Sequence, residues 1–377
     1  MLPITHYPLP ITHYPLPITH YPLPITHPMQ YTPPWHLKNG LLMTLYAVFR
    51  ASRSWEKRIN DPEPNYQEYI FTGANNVPIF GKFAIPENPK GTFVGTYGIT
   101  GDLDNQWYLK ILGRKAFAQG YAVVLFDWRA HGKTAELSPT LTSDGLFEGE
   151  DFIRIANRAK QLGCPAPFWL TGYSLGGQLA LWGVKAGQTI SSWGEDIEIT
   201  ESDIGGGAVI CPSVDSNRSL SYLVKDDWGK FLERAIAREL KKLAKNIAKY
   251  HPGTIDPQAI ARANTIWGFD HELVIGRLGF ASVEEYYDAS SALRILPDFH
   301  KPTLILYAAD DPMFDPSIIP DLEKLAQENH AIDLLLTEYG GHVGYISSKI
   351  GQHQNGDRDR WWGWNRILDW VENGGKF

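Results

Sequence analysis

Gly172-Tyr173-Ser174-Leu175-Gly176 sets one serine between two glycines, after the apolar run Phe168-Trp169-Leu170-Thr171 and before Gln178-Leu179-Ala180-Leu181-Trp182, which has helical character. Among 35 glycines the five-residue pattern alone also describes an ordinary turn. The strand-like run before it and the helical run after it make it a nucleophile elbow, a tight strand-to-helix turn that presents one side chain. The glycines leave room where neighbouring backbones approach. The following helix points free N–H groups and its positive dipole end at any anion formed beside Ser174. Serine is a weak nucleophile at neutral pH and needs a base, which in turn needs an orienting carboxylate. Asp310 and Asp311 follow the apolar run 303–307, and both are candidates for that acid. His342 follows Gly340-Gly341 after the run 332–337, where its imidazole can swing over the serine. Three such residues, each after its own strand, would perform nucleophilic acyl transfer.

The elements that must hold these residues read as alternating units. Strands are expected at 66–71, 78–85, 92–97, 121–127, 168–171, 207–211, 303–307 and 332–337. Several are continuous apolar runs, as in strands buried on both faces of a parallel sheet. Helices are expected at 105–119, 148–162, 174–186, 316–328 and 358–373. The alternation implies an α/β fold with a mostly parallel eight-stranded sheet flanked by helices. The first two strands, with no helix between them, read as an antiparallel edge hairpin. The core is thus split into 66–212 and 300–377, and residues 213–299 carry helical patterns alone, expected to form a helical cap. Within it Ile236, Leu240, Leu243 and Ile247 share one helix face, with Lys230, Arg234, Arg238, Lys241, Lys242, Lys245 and Lys249 around the rest. A solvated face is the ordinary reading of such a stripe, and contact with anionic lipid the alternative.

A length of 377 residues, 43% hydrophobic and 20% charged, suits a soluble globular protein with a sizeable core. A net charge of −7 argues against a general nucleic-acid binder. Cys164 and Cys211 are the only cysteines, so there is neither a disulfide framework nor zinc-ligand spacing. A reducing, cytoplasmic setting fits. Residues 1–28 are dominated by a Leu-Pro-Ile-Thr-His-Tyr-Pro repeat, which forbids helix and reads as a disordered or polyproline-like tail. Its perfect copies point to Met29 as the native start. His6, His13, His20 and His27 recur every seven residues, without the preorganised geometry a metal site needs. Residues 29–65 form an N-terminal helical segment. Its apolar run 40–49 is too short to span a bilayer, and reads as a helix packed on the domain or lying at a membrane interface.

Together these residues resemble the α/β-hydrolase superfamily, in which Ser, Asp and His occur in this chain order, and within it the YheT-type branch of capped serine hydrolases. The narrower resemblance rests on Phe269-Asp270, Gly279-Phe280, Glu285-Tyr286-Tyr287, Ser290-Ser291, Asp310-Asp311-Pro312 and Gly340-Gly341-His342-Val343-Gly344-Tyr345, and spans about residues 66–372. It implies a serine hydrolase of carboxylic esters, of acyl ester or acylglycerol type, working through an acyl-enzyme on Ser174. Asp311-Pro312 resembles the family's Asp-Pro form of the acid loop, which favours Asp311 as the triad acid and leaves Asp310 to cap the turn that follows. The oxyanion hole is expected from the N–H groups of Leu175 and, by match to the loop after the third strand, Ile99. Tyr97 and Ala130 depart from the histidine and glycine common at those positions. His131, which precedes Ser174, reads as a scaffold, and Cys211 as a buried small apolar residue.

The expected partner is a small-molecule acyl ester, with no nucleic acid, no cofactor and no metal, and with peripheral lipid contact as an option; no oligomeric state is specified. Acyl transfer to an alcohol, or a catalytically silent ligand-binding member of the fold, are the alternatives.

Overall fold

The computed structural model describes residues 30–193 and 197–377. The heptapeptide repeat and the Met29 start lie outside the described residues. Tyr31–Phe377 forms one compact unit.

Eight strands make one sheet in the order β1-β2-β4-β3-β5-β6-β7-β8. They are β1 Gln67–Thr72, β2 Pro78–Ala84, β3 Thr92–Thr96, β4 Ala122–Phe126, β5 Phe168–Tyr173, β6 Ile204–Ile210, β7 Thr303–Ala308 and β8 Ile332–Thr337. β2 runs antiparallel to both β1 and β4, and every other neighbouring pair is parallel. Every residue of β3, β4, β5 and β7 is buried, which accounts for their unbroken apolar sequences. β1, at the edge, buries only Phe71.

The helices are α1 Gly40–Tyr46, α2 Trp107–Ala118, α3 Thr134–Leu137, α4 Glu148–Gln161, α5 Leu175–Gly187, α6 Ser216–Leu223, α7 Asp227–Tyr250, α8 Pro257–Arg262, α9 Ile266–Phe269, α10 Ile275–Leu278, α11 Val283–Ser290, α12 Ile319–Glu328, α13 Lys349–Asn355 and α14 Trp362–Glu372. α4 and α5 pack together on one sheet face, where a Cβ at Gly183 would touch Leu170 and Phe152 at 3.0 Å. α2 and α14 cover the other face. There the Tyr173 and Tyr108 rings meet tilted, with centroids 4.7 Å apart, and the Trp364 indole donates to the Tyr108 carbonyl at 2.8 Å. The helix expected over 358–373 begins only at Trp362, because Trp361 forms a bridge with Ile346 and Asp359 accepts the Trp361 N–H at 2.9 Å.

A buried ion pair ties the second layer to the sheet. Arg129, just after β4, donates to both Asp151 oxygens at 2.7 and 2.8 Å and to the Ala74 carbonyl at 2.9 Å. Its bidentate geometry and the added carbonyl offset the cost of desolvating two charges. Between β6 and β7 the chain is helical, from α6 to α11, with its own apolar cluster of Leu240, Ile247, Phe269 and Tyr286. No helix among the described residues is long and apolar enough to cross a membrane.

Candidate active site

Ser174 sits between the last residue of β5 and the first of α5 with φ 54° and ψ −126°, a left-handed conformation that is costly for a residue with a Cβ. Its surroundings hold it there. A Cβ at Gly172 would collide with the Gly176 carbonyl, and one at Gly176 with the Tyr97 carbonyl. At Gly98 a Cβ would lie 3.0 Å from the Ser174 Cβ and 3.5 Å from its Oγ. The glycines on both sides are therefore steric requirements of the turn.

His342 Nε2 lies 2.8 Å from Ser174 Oγ, and its Nδ1 lies 2.8 Å from Asp311 Oδ2. With Nδ1–H donating to the carboxylate, Nε2 is left to accept from the serine hydroxyl. Asp311 is 6% exposed and His342 is half-buried; Phe314 meets the imidazole edge-on at 5.1 Å. The other Asp311 oxygen accepts the Met313 N–H at 2.9 Å, which fixes the carboxylate plane. The structure thus brings Ser174, Asp311 and His342 into one hydrogen-bonded line.

Asp310 faces the other way. Its Oδ1 accepts the Gly341 N–H at 2.8 Å, while Oδ2 is buried without a hydrogen bond. Burial raises its pKa. The residue expected to cap the turn after it instead holds the loop that carries His342, and Asp311 itself caps that turn through Met313.

The His342 loop rests on a part of the chain that sequence patterns do not connect to it. The His342 N–H donates to Thr44 Oγ1 at 2.8 Å, and Thr44 in turn donates to the Gly40 carbonyl at 2.7 Å. Gly341, at φ 55°, faces the Gly40 carbonyl, and Gly344 faces Met43. α1 is therefore packed directly against the loop, with its Met43 buried and Leu42 exposed, and Leu37 before it and Ala47 and Ala51 after it also buried. The three glycines at 340, 341 and 344 were the only sequence signal of this close approach.

Ile99 and Leu175 line one cavity with Ser174. The amides flanking Ile99 are engaged: Gly98 N–H with Tyr108 Oη at 3.2 Å, and Thr100 N–H with His131 Nε2 at 3.1 Å. The N–H groups of Ile99 and Leu175 have no hydrogen bond among the described residues. His131 is stacked on Trp128 at 3.7 Å, and its Nδ1–H donates to the Arg129 carbonyl at 2.9 Å. Burial pushes its pKa down to about 4, so the ring is neutral and Nε2 accepts. Tyr97 donates to Asp127 at 2.5 Å, and Asp127 also accepts from Leu103 and Lys133 N–H, both at 2.9 Å. These bonds brace the loop bearing Ile99. Ala130 takes φ 68°, a conformation that glycine adopts more readily.

The cavity beside Ser174 measures about 90 Å³ and has largely apolar walls, among them Leu220, Leu223, Ile236 and Phe269 from the inserted helices. Two carboxyls interrupt them. Asp144, from the loop before α4, and Asp270, from the inserted block, both line the cavity and are 5% and 6% exposed. The Tyr287 hydroxyl donates to Asp270 at 2.5 Å, and Thr142 donates to Asp144 at 3.1 Å. Burial, and the like charge nearby, raise both pKa values. Neither acid was singled out for chemistry by its sequence context.

Cys211, Asp311 and His342 also place one ligand atom each within 4.8 Å of one another. That set is poorly suited to a metal: burial holds the Cys211 thiol protonated, and Asp311 and His342 are already bonded to each other.

Residues 101–349 match the family model described as "Alpha/beta hydrolase family". The chain is 53% identical over 348 residues to "Putative esterase slr0264" of Synechocystis sp., covering 91% of this chain and 94% of that one. It is 29% identical to "Putative esterase YheT" of Escherichia coli, covering 78% and 81%. With "Phospholipase ABHD3" of Mus musculus it shares 26% identity over 66% of this chain and 57% of the other. Among solved structures, an esterase of Pyrococcus furiosus superposes with a TM-score of 0.51 at 15% identity, covering 82% of this chain and 92% of its own, a likeness of fold. The matched core and the similarity along nearly the whole length of the Synechocystis relative place this chain in the alpha/beta hydrolase family, within its YheT-like branch.

Proposed function

We propose that this protein hydrolyses carboxylic esters with Ser174 as nucleophile, His342 as base and acid, and Asp311 as the orienting carboxylate. The observation that carries this reading is the hydrogen-bonded line from Asp311 through His342 to Ser174, with both bonds at 2.8 Å. Esterase and phospholipase names among its relatives support the same class.

Ser174 Oγ attacks the acyl carbonyl as His342 Nε2 takes its proton, and Asp311 stabilises the imidazolium. The carbonyl oxygen, now an anion, is held by the free N–H groups of Leu175 and Ile99, aided by the α5 dipole. His342 returns the proton to the departing alkoxide, which leaves as the alcohol. Water then attacks the acyl-Ser174 ester, again giving its proton to His342, and the acid is released with Ser174 reprotonated. The apolar cavity holds the acyl chain or the alcohol.

A panel of p-nitrophenyl esters of graded chain length tests this. Turnover should fall about 10³-fold or more in Ser174→Ala. Failure of the parent to cleave any member of the panel would sink the reading.

A further inference from the structure

Helix α7 presents an outer face that nothing among the described residues covers. Its inner face, with Ile236, Ala237, Leu240, Ala244 and Ile247, is buried. Phe231, Arg234, Arg238, Lys245 and Lys249 fall at steps of three, four and seven residues, so they share one exposed row. The four cations span about 22 Å of helix. Lys230 and Lys242 on the same helix have acid partners, Asp227 at 3.4 Å and Glu239 at 2.7 Å. Arg234, Arg238, Lys245 and Lys249 have no ion-pair partner among the described residues. A cationic row without ion pairs stands out on a protein of net charge −7, whose remaining surface is correspondingly more acidic.

Aromatic rings occupy the amino end of this row. Phe231 is 59% exposed and Trp228 is 37% exposed, with ring centroids 5.5 Å apart. This end adjoins the cavity beside Ser174, because Leu220 and Leu223 of α6 and Ile236 of α7 are cavity walls. Exposed rings at one end and cations without ion pairs along the rest, Lys249 lying over the Tyr250 ring at 5.0 Å, form the pattern of a helix lying in a bilayer interface, rings among the acyl chains and cations among the headgroups.

We propose that the outer face of α7 docks on an anionic lipid bilayer, holding the cavity that its inner face walls close to the membrane. A phosphate backbone would satisfy the cations equally, but it gives Phe231 and Trp228 no apolar medium to enter. Each cation near an anionic surface contributes about 1 kcal/mol, so the row alone gives salt-sensitive, reversible attachment.

The test is co-sedimentation of the full chain with extruded vesicles of phosphatidylcholine, with and without added phosphatidylglycerol. It reads binding and is independent of ester hydrolysis. The expected result is partition to the anionic vesicles alone, weakened at least about ten-fold in high salt or in the triple variant Arg234→Glu, Arg238→Glu, Lys245→Glu. Phe231→Ala should weaken it several-fold without changing the salt dependence. The salt titration needs no variant, and unchanged melting temperatures establish that the variants are folded. Equal partition to both vesicle types, absence of binding to anionic vesicles, or an unaffected triple variant would overturn the proposal. So would displacement from vesicles by a duplex oligonucleotide at equal charge.

Discussion

The backbone N–H of His342 is held by the hydroxyl of Thr44, at 2.8 Å, across 298 residues of sequence. The imidazole reaches Ser174 from a loop whose own backbone depends on α1. A helix outside the matched core thus positions a residue within it.

Thr44→Val should leave the partly buried His342 amide without its acceptor, a loss of about 1–3 kcal/mol shared between stability and loop placement. The expected readout is a kcat about ten-fold lower with KM nearly unchanged, restored by Thr44→Ser, which keeps the hydroxyl. Steady-state kinetics on one ester decides it. Equal kcat in the Val and Ser variants would uncouple α1 from the site.

Asp310 and Asp311 are adjacent in sequence but differ in what they hold. Asp311→Asn should remove the acceptor that selects the His342 tautomer and lower kcat on the order of 10³–10⁴-fold. Asp310→Asn should cost about ten-fold or less, through the Gly341 contact alone. Comparable losses in the two variants would contradict the geometry.

The buried carboxyls predict a pH-dependent stability. Asp144 and Asp270 have raised pKa values in the fold, both chiefly by burial, with the charge of Glu148 adding at Asp144 and that of Asp144 adding at Asp270, so the folded state binds more protons than the unfolded chain. Stability contributed by this pair is therefore full at low pH, below the ordinary carboxylate pKa, and is lost as pH rises through the raised values. Asp270→Asn should melt progressively higher than the parent as pH rises above the ordinary carboxylate range, by up to about 1.4 kcal/mol for each unit of upward shift removed. Glu148, Tyr286 and Tyr287 face the same pair and carry no cation to reverse the sign. A difference in melting temperature that is flat with pH would contradict it.

The centre of the sheet was legible because β3, β4, β5 and β7 are buried on both faces: runs such as 303–307 and 122–126 have no polar period to confuse them. The serine turn was legible because its glycines are demanded by contacts within five residues, and one beyond it, at Tyr97. What hid from the sequence was contact across distance. α1 has an apolar face that fits any domain surface, and nothing local says that Thr44 meets His342. Asp310 and Asp311 share one environment in sequence, and only the direction of each side chain separates the His342 imidazole from the Gly341 amide. Asp144 lies before α4 and Asp270 after α9, so their meeting in one cavity depends on how the inserted helices settle over the sheet.

The central claim is that Ser174 is the nucleophile. The most direct measurement treats folded protein with a fluorophosphonate probe and maps the adduct by mass spectrometry. The expected result is one adduct on the peptide bearing Ser174, absent in Ser174→Ala of unchanged melting temperature and strongly reduced in His342→Ala. An adduct on another residue, or full labelling and ester turnover in Ser174→Ala, would contradict the account.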